Sequence, residues 1–219
     1  MRPFLKKQSS ATQLHLVETI RGWLGTCTSY HRLCQAPLTA SKLPTRVLDL
    51  RRFRSGREVR LVTSDGCEGS FVALSYLWGS SKPFRTTQAN LKQHMRNVPL
   101  HELPQTYLDA VMLVANIGVD YLWIDALCIV QDDRDDWELE IANMAAVYEG
   151  ALFVLIVAWA AHPGTGFLRP RLIQSYGWSE PIELGSERVG YQHVRARLRM
   201  RHLKDDPCED QLVNLRGWT

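Results

Sequence analysis

Residues 121–148 read YLWIDALCIVQDDRDDWELEIANMAAVY, an apolar run that leads, with no glycine or proline between, into four aspartates and then a helix-spaced stripe. No other stretch constrains the fold as much. Residues 122–129 are apolar except for Asp125, the pattern of a strand covered on both faces, which belongs to parallel sheets with helices packed over them. Asp132, Asp133, Asp135 and Asp136 follow where negative charge suits the unpaired amides of a helix start. Trp137, Ile141, Met144 and Tyr148 then recur at near-helical spacing and predict one helix over 135–149 with that stripe on the core. At about 100° per residue, Glu140 falls about 60° from the centre of the stripe, so it is expected at the edge of the core.

The flanking segments alternate in the same way. Residues 71–76 read as a strand, and 104–117 as a helix with Pro104 in its first turn and Gly118 at its left-handed cap. Residues 152–157 read as a further strand. Strand and helix in alternation predict an α/β class, with 71–76, 120–129 and 152–157 as neighbouring buried strands. Upstream, 12–24 is an amphipathic helix and 46–62 two short strands about a turn at 54–56; a short helix is expected at 91–96 and a strand near 189–194. The organisation expected is an N-terminal extension over 1–70 and an α/β domain over 71–219.

A chain of 219 residues buries a sizeable core without disulfides or metal. Its formal charge of +3 is small, and the basic runs at 51–60 and 195–201 lack interleaved aromatics, which argues against a nucleic-acid partner. The longest apolar run, 151–161, is about half of what a membrane span needs, so no span is expected. Five cysteines and no secretory leader point to free thiols and a cytoplasmic location. Cys27, His31 and Cys34 offer three close ligands where a structural zinc needs four, so no metal is expected. Cys128 reads as a small buried apolar residue, and His94, His101 and His162 as surface or capping residues.

The motifs ALSYLWG (73–79), LPQTYLDAV (103–111) and 121–148, flanked by CTSYHRLC (27–34), LPTRVLDL (43–50), GTGFLRPR (164–171) and RGWT (216–219), resemble the heterokaryon incompatibility (HET) domain of filamentous fungi. They stand in that family's usual order and cover most of the chain. Ala126 stands where the family often has serine, and members usually continue beyond RGWT, so the domain is expected to be incomplete at its C-terminus. The resemblance implies a mainly parallel sheet flanked by helices, TIR- or flavodoxin-like. It also implies an effector of fungal nonself recognition and programmed cell death, working with protein partners or by self-association.

HET domains are remotely TIR-like, and Asp136, Trp137 and Glu140 resemble the tryptophan and glutamate of the helix that carries the catalytic glutamate in NAD-cleaving TIR members, at a spacing one residue shorter. The resemblance implies that Glu140 stabilises a cation-like ribose, with NAD as a substrate and no resident cofactor. Asp125 and, at the end of an earlier strand, Ser75, Trp78 and Gly79 are the candidates to bind it, because ligands of open parallel sheets sit outside the carboxyl ends of strands. Each residue also has a simpler reading: Glu140 as a boundary residue paired with an arginine, Asp125 as a carboxylate fixing the loop at Gln131, Trp78 as core. The alternative function is a non-catalytic protein-interaction and self-association module with the acidic cluster as its interface.

Overall fold

The computed structural model describes residues 10–30, 41–78, 84–157 and 163–168, with strands at 182–184 and 192–194. Helix α1 (Ser10–Tyr30) precedes β1 (Ser41–Lys42), β2 (Arg46–Asp49), the one-turn α2 (Phe53–Gly56), β3 (Arg60–Thr63), β4 (Glu68–Gly69) and β5 (Phe71–Ser75). Then come α3 (Leu91–Arg96), α4 (Gln105–Ile117), β6 (Tyr121–Ile124), α5 (Asp125–Cys128), α6 (Arg134–Ala142), α7 (Met144–Gly150) and β7 (Phe153–Ile156). β8 (Ile182–Leu184) and β9 (Gln192–Val194) pair with each other, antiparallel.

The main sheet has the order β3-β2-β6-β5-β7. β5 is buried at every position and pairs in parallel with β6 on one side and β7 on the other, so the three segments expected as neighbouring strands are neighbours. The sheet as a whole is mixed and not mainly parallel, because β2 runs antiparallel to both β3 and β6. The cause is the short link through α2, which returns the chain beside itself, whereas a parallel pair requires a long crossover. Val47, Leu48 and Leu61 are buried within this hairpin. The segment expected as an extension thus supplies two strands of the sheet.

Three further expectations change. The strand expected over 120–129 ends at Ile124, where the chain turns into α5. Residues 126–130 are buried either way, and an unbroken apolar run does not distinguish a buried strand from a buried helical turn. The helix expected over 135–149 breaks at Asn143 into α6 and α7. Its stripe holds only in the second half: Met144 and Tyr148 pack on the core, the Tyr148 ring edge-on to Trp123 at 5.8 Å, while Trp137 is 45% exposed and Ile141 39% exposed. β7, finally, is a half-buried strand with Ile156 exposed, because among the described residues β5 is its one partner.

α4 follows expectation closely. Pro104 precedes its first turn, and Gly118, at φ 106°, donates its N–H to Val114 O in the left-handed cap that favours glycine. Its last carbonyls accept from Arg21, to Ile117 O at 3.0 Å and Asn116 O at 2.7 Å, and from Arg54, to Ala115 O at 2.7 Å. These contacts tie α1 and α2 to the body of the fold.

At the far end of β2, buried Asp49 accepts from Arg51 and Arg60. Burial raises its pKa, but the bonds from the Arg51 side chain and amide, with the charges of Arg51 and Arg60, outweigh that and hold the carboxyl below its ordinary value. A carboxyl whose folded pKa lies below its unfolded one contributes stability that is full above the unfolded pKa and is lost as pH falls through the folded pKa. Asp49→Asn is therefore expected to lower stability near neutrality and flatten the acid limb below about pH 4. Urea midpoints measured from pH 7 down to 3 check this; parallel curves for variant and wild type would contradict it.

Candidate functional site

Arg46 opens β2 two residues before the Leu48–Leu122 pair, so it stands level with Ile124 at the carboxyl end of β6. That is the edge at which open α/β sheets bind ligands. Arg46 is buried: its Nε donates to Cys128 O at 2.7 Å, and its Nη2 bonds both carboxylate oxygens of Asp136 on the first turn of α6. Asp136 also accepts from Val130 N at 2.8 Å, and the Asp133 side chain accepts from Asp136 N, capping α6. One helical turn on, Glu140 shares the face of Asp136 and is turned inward.

Glu140 is 1% exposed, the one buried residue of α6. Its Oε1 lies 3.8 Å from Arg46 Nη2, too far for a hydrogen bond, and has no hydrogen-bond partner. Glu140 borders a groove of about 580 Å³ between residues 41–45, residues 63–66, Asn143 and the side of α7 that carries Ala146 and Val147. The expected contact with an arginine is present, but the carboxylate sits in the core and not at its edge. The physical reason is Arg46: a buried guanidinium requires carboxylates around it, and α6 rotates its acidic face toward that charge, leaving Trp137 and Ile141 outside. Sequence reasoning gave Arg46 no role. Its signal was an arginine directly before the apolar run of LPTRVLDL.

The other candidates divide between two places. Asp125 accepts from Trp78 Nε1 at 2.7 Å and from its neighbour's amide, Ala126 N, also at 2.7 Å, so Trp78 and Asp125 do meet. Both lie near a buried pair of tyrosines, Tyr76 and Tyr107, whose hydroxyls are 2.6 Å apart. Burial first, and then the Asp125 charge, push the Tyr76 hydroxyl well above its ordinary pKa, so it serves as a neutral hydrogen-bonding group. Gln131 does reach this turn, through its side-chain amide to Asp125 O at 3.0 Å. Ser75 lines a separate hollow of about 480 Å³ with Met144, Tyr148, Val154 and Ile156. Neither Ser75, Trp78 nor Asp125 lines the groove of Glu140. Gly79 lies outside the described residues.

The acidic run is largely used within the fold. Asp132 accepts from Gln88 N at 2.8 Å, fastening the 84–90 turn to the turn that precedes α6, while Asp133 and Asp136 serve as above. Thr86 completes the join: its amide donates to Ala126 O and its hydroxyl to Leu127 O at 2.6 Å. With that proton committed, the Thr86 oxygen accepts from His94 Nδ1 at 2.9 Å, which sets the histidine tautomer. His94 is thus a buried residue stacked on Phe84 and not a surface one, and burial lowers its pKa. Cys128 is fully buried, and burial pushes its thiol up to about 12, which suits packing and not nucleophilic attack. His31 and Cys34 lie outside the described residues; among those described, no group of three His, Cys, Asp or Glu side chains is placed to hold a metal.

A final contact joins two of the motifs. Asp109, buried on α4, accepts from Phe167 N at 2.7 Å and Leu168 N at 2.9 Å, so the carboxylate of LPQTYLDAV holds the turn of GTGFLRPR. The family model of the heterokaryon incompatibility protein (HET) matches residues 71–219, which span both. The chain belongs to the HET family. Searches of curated proteins and of solved structures returned no match. In this HET chain the matched segment carries Glu140, Asp125, Ser75 and Trp78, whereas Arg46 and both 41–45 and 63–66 lie before it. No helix among the described residues is long and apolar enough to cross a membrane.

Proposed function

We propose that this HET protein is a cytoplasmic effector of fungal nonself recognition whose TIR-like domain cleaves NAD, with Glu140 as the catalytic carboxylate. The observation that carries this reading is Glu140 itself, a buried carboxylate that borders a groove and whose Oε1 has no hydrogen-bond partner. Leaving a buried polar atom unpaired costs about 1–3 kcal/mol, and such a cost in a native fold calls for an explanation. A substrate hydroxyl is one. In the reaction the bond between ribose C1′ and the nicotinamide nitrogen breaks, its electron pair leaving with nicotinamide. Water then bonds to C1′ and releases a proton to solvent. The carboxylate stabilises the cation-like ribose between these events. Asp125, hydrogen-bonded to Trp78, shapes the adjoining strand end in this reading.

Glu140→Gln is expected to lower NAD turnover on the order of 100-fold or more, with little change in the unfolding midpoint, because the amide has nearly the same size. Turnover by purified protein at high concentration, measured beside thermal unfolding, tests this, and undiminished turnover in the variant would sink the catalytic role. A second reading is a protein-interaction and self-association module, supported by the exposure of Trp137, Leu139 and Ile141 on α6. Toxicity of the wild type without loss of NAD would favour it.

A further inference from the structure

The connection from β6 to α6 anchors the buried arginine and its partner: Cys128 O accepts from Arg46 Nε, and Val130 N donates to Asp136. A second segment, 84–90, is laid along that connection. Thr86 N donates to Ala126 O at 2.9 Å, Gln131 N to Thr86 O at 2.9 Å, and Gln88 N to Asp132 Oδ1 at 2.8 Å. One further link between them runs through a titratable ring. The Thr86 hydroxyl gives its proton to Leu127 O at 2.6 Å, so toward His94 it acts as an acceptor, and Nδ1 carries the proton of the neutral imidazole. His94 is 2% exposed, with Phe84 stacked on it at 5.2 Å. Among the described residues no acceptor is bonded to its other nitrogen, Nε2. A second ring proton would therefore be buried without a partner, which is costly for a charge.

Burial disfavours the imidazolium and outweighs the one charge that favours it, Glu102 on the turn after α3. Glu102 is exposed and lies 3.4 Å from His101 Nε2, so water screens it. The Phe84 face attracts a cation only weakly. The other charges around the ring bring no compensation: Lys92 and Arg96 on α3 are exposed, and Arg60 on β3 is paired with Asp49. Asp132 is bonded to Gln88 N, and Asp125 to Trp78 Nε1.

We propose that His94 and Thr86 form an acid-sensitive latch, in which protonation of the imidazole frees residues 84–90 from the connection between β6 and α6 while the sheet stays folded. The link is local, a few hydrogen bonds outside the sheet, and such segments open at a lower cost than the whole fold. Once open, the 125–133 connection loses the contacts that fix the Cys128 carbonyl and the Val130 amide, so acid loosens the hold on Arg46 and Asp136. The ring is neutral when closed and charged when open. The latch is therefore at full strength above the ordinary histidine pKa of about 6.5 and is lost as pH falls through the lower value of the closed state. This device does not depend on NAD cleavage.

Hydrogen exchange of the full chain at pH 7.5 and 5.5, followed by mass spectrometry and corrected for the intrinsic pH dependence of exchange, tests the latch. The expected result is an opening equilibrium about three- to tenfold larger at pH 5.5 for the peptides that carry Thr86 N and Gln131 N, the span that one proton allows. The amides of β5 should show no such step. His94→Asn, whose amide donates to Thr86 without titrating, should lose the step. No step in the wild type, an equal step in β5, or a full step in folded His94→Asn overturns the proposal. Where His94→Asn does not fold, titration of the wild-type histidine rings by NMR takes its place. The opening must then share its midpoint with the His94 ring, and a midpoint that follows another histidine overturns the latch.

Discussion

Replacing Arg46 with methionine is expected to destabilise the fold by about 3–5 kcal/mol, the cost of leaving a buried charge without its partner. Arg46 joins three elements: β2, the turn at Cys128 and the first turns of α6. Methionine matches its stem but removes every donor. Asp136, Glu140 and the Cys128 carbonyl would then share a poorly hydrated space with no cation. Since small domains are stable by only about 5–15 kcal/mol, this is a large fraction of the total. Urea unfolding measures it. Adding Asp136→Asn to Arg46→Met should recover at least about 1 kcal/mol relative to the sum of the single changes, because the two residues are in contact and one uncompensated charge is gone. Strict additivity would mean that the pair does not interact in solution. Arg46→Lys should fall between, as an ammonium cannot reproduce the two-sided fit of the guanidinium to Asp136 and Cys128.

The same residue marks where the sequence was legible and where it was not. The strands at 71–76 and 152–157, the helix over 104–117 with its Pro104 and Gly118, and the short helix at 91–96 were readable because their signals are local: alternation, caps, breakers. The motif around Trp137 singles out Glu140, but the orientation of its side chain is not legible there. Counting apolar residues placed Trp137 and Ile141 inside, and a buried arginine 94 residues before Glu140 placed them outside. Long-range charge pairing has no period in sequence. Nor does the fate of Asp125: a carboxylate within an apolar run signals a break, but that the run becomes α5, and that Trp78 supplies the donor, depends on tertiary neighbours. The mixed sheet escaped notice for a related reason, since β2 and β3 were visible as strands while their place beside β6 was not.

Gly166→Ala is expected to cost about 2–5 kcal/mol, the combined effect of a left-handed backbone and an occupied space. Gly166 has φ 70°, and a Cβ there would stand 2.5 Å from Gln105 Cγ and 2.8 Å from Asp109 Oδ2. Neither neighbour moves without loss. Gln105 Nε2 donates to Asp109 Oδ1 at 2.7 Å, and Asp109 accepts the amides of Phe167 and Leu168, so displacing the carboxylate would unpair two backbone N–H groups. The turn is also held from its other side by Thr106 N, which donates to Pro163 O at 2.9 Å. A second change separates the causes. Gln105→Ala removes the atom that stands 2.5 Å away, so in the Gly166→Ala background it should restore part of the stability, while the backbone term persists. Asp109→Asn should be mild if the amide oxygen still accepts both N–H groups, whereas Asp109→Ala should approach Gly166→Ala in severity. Thermal unfolding of the five proteins decides among these. A neutral Gly166→Ala would mean that the GTGF turn is not seated on α4 in solution, and the physical link between the two motifs would fall with it.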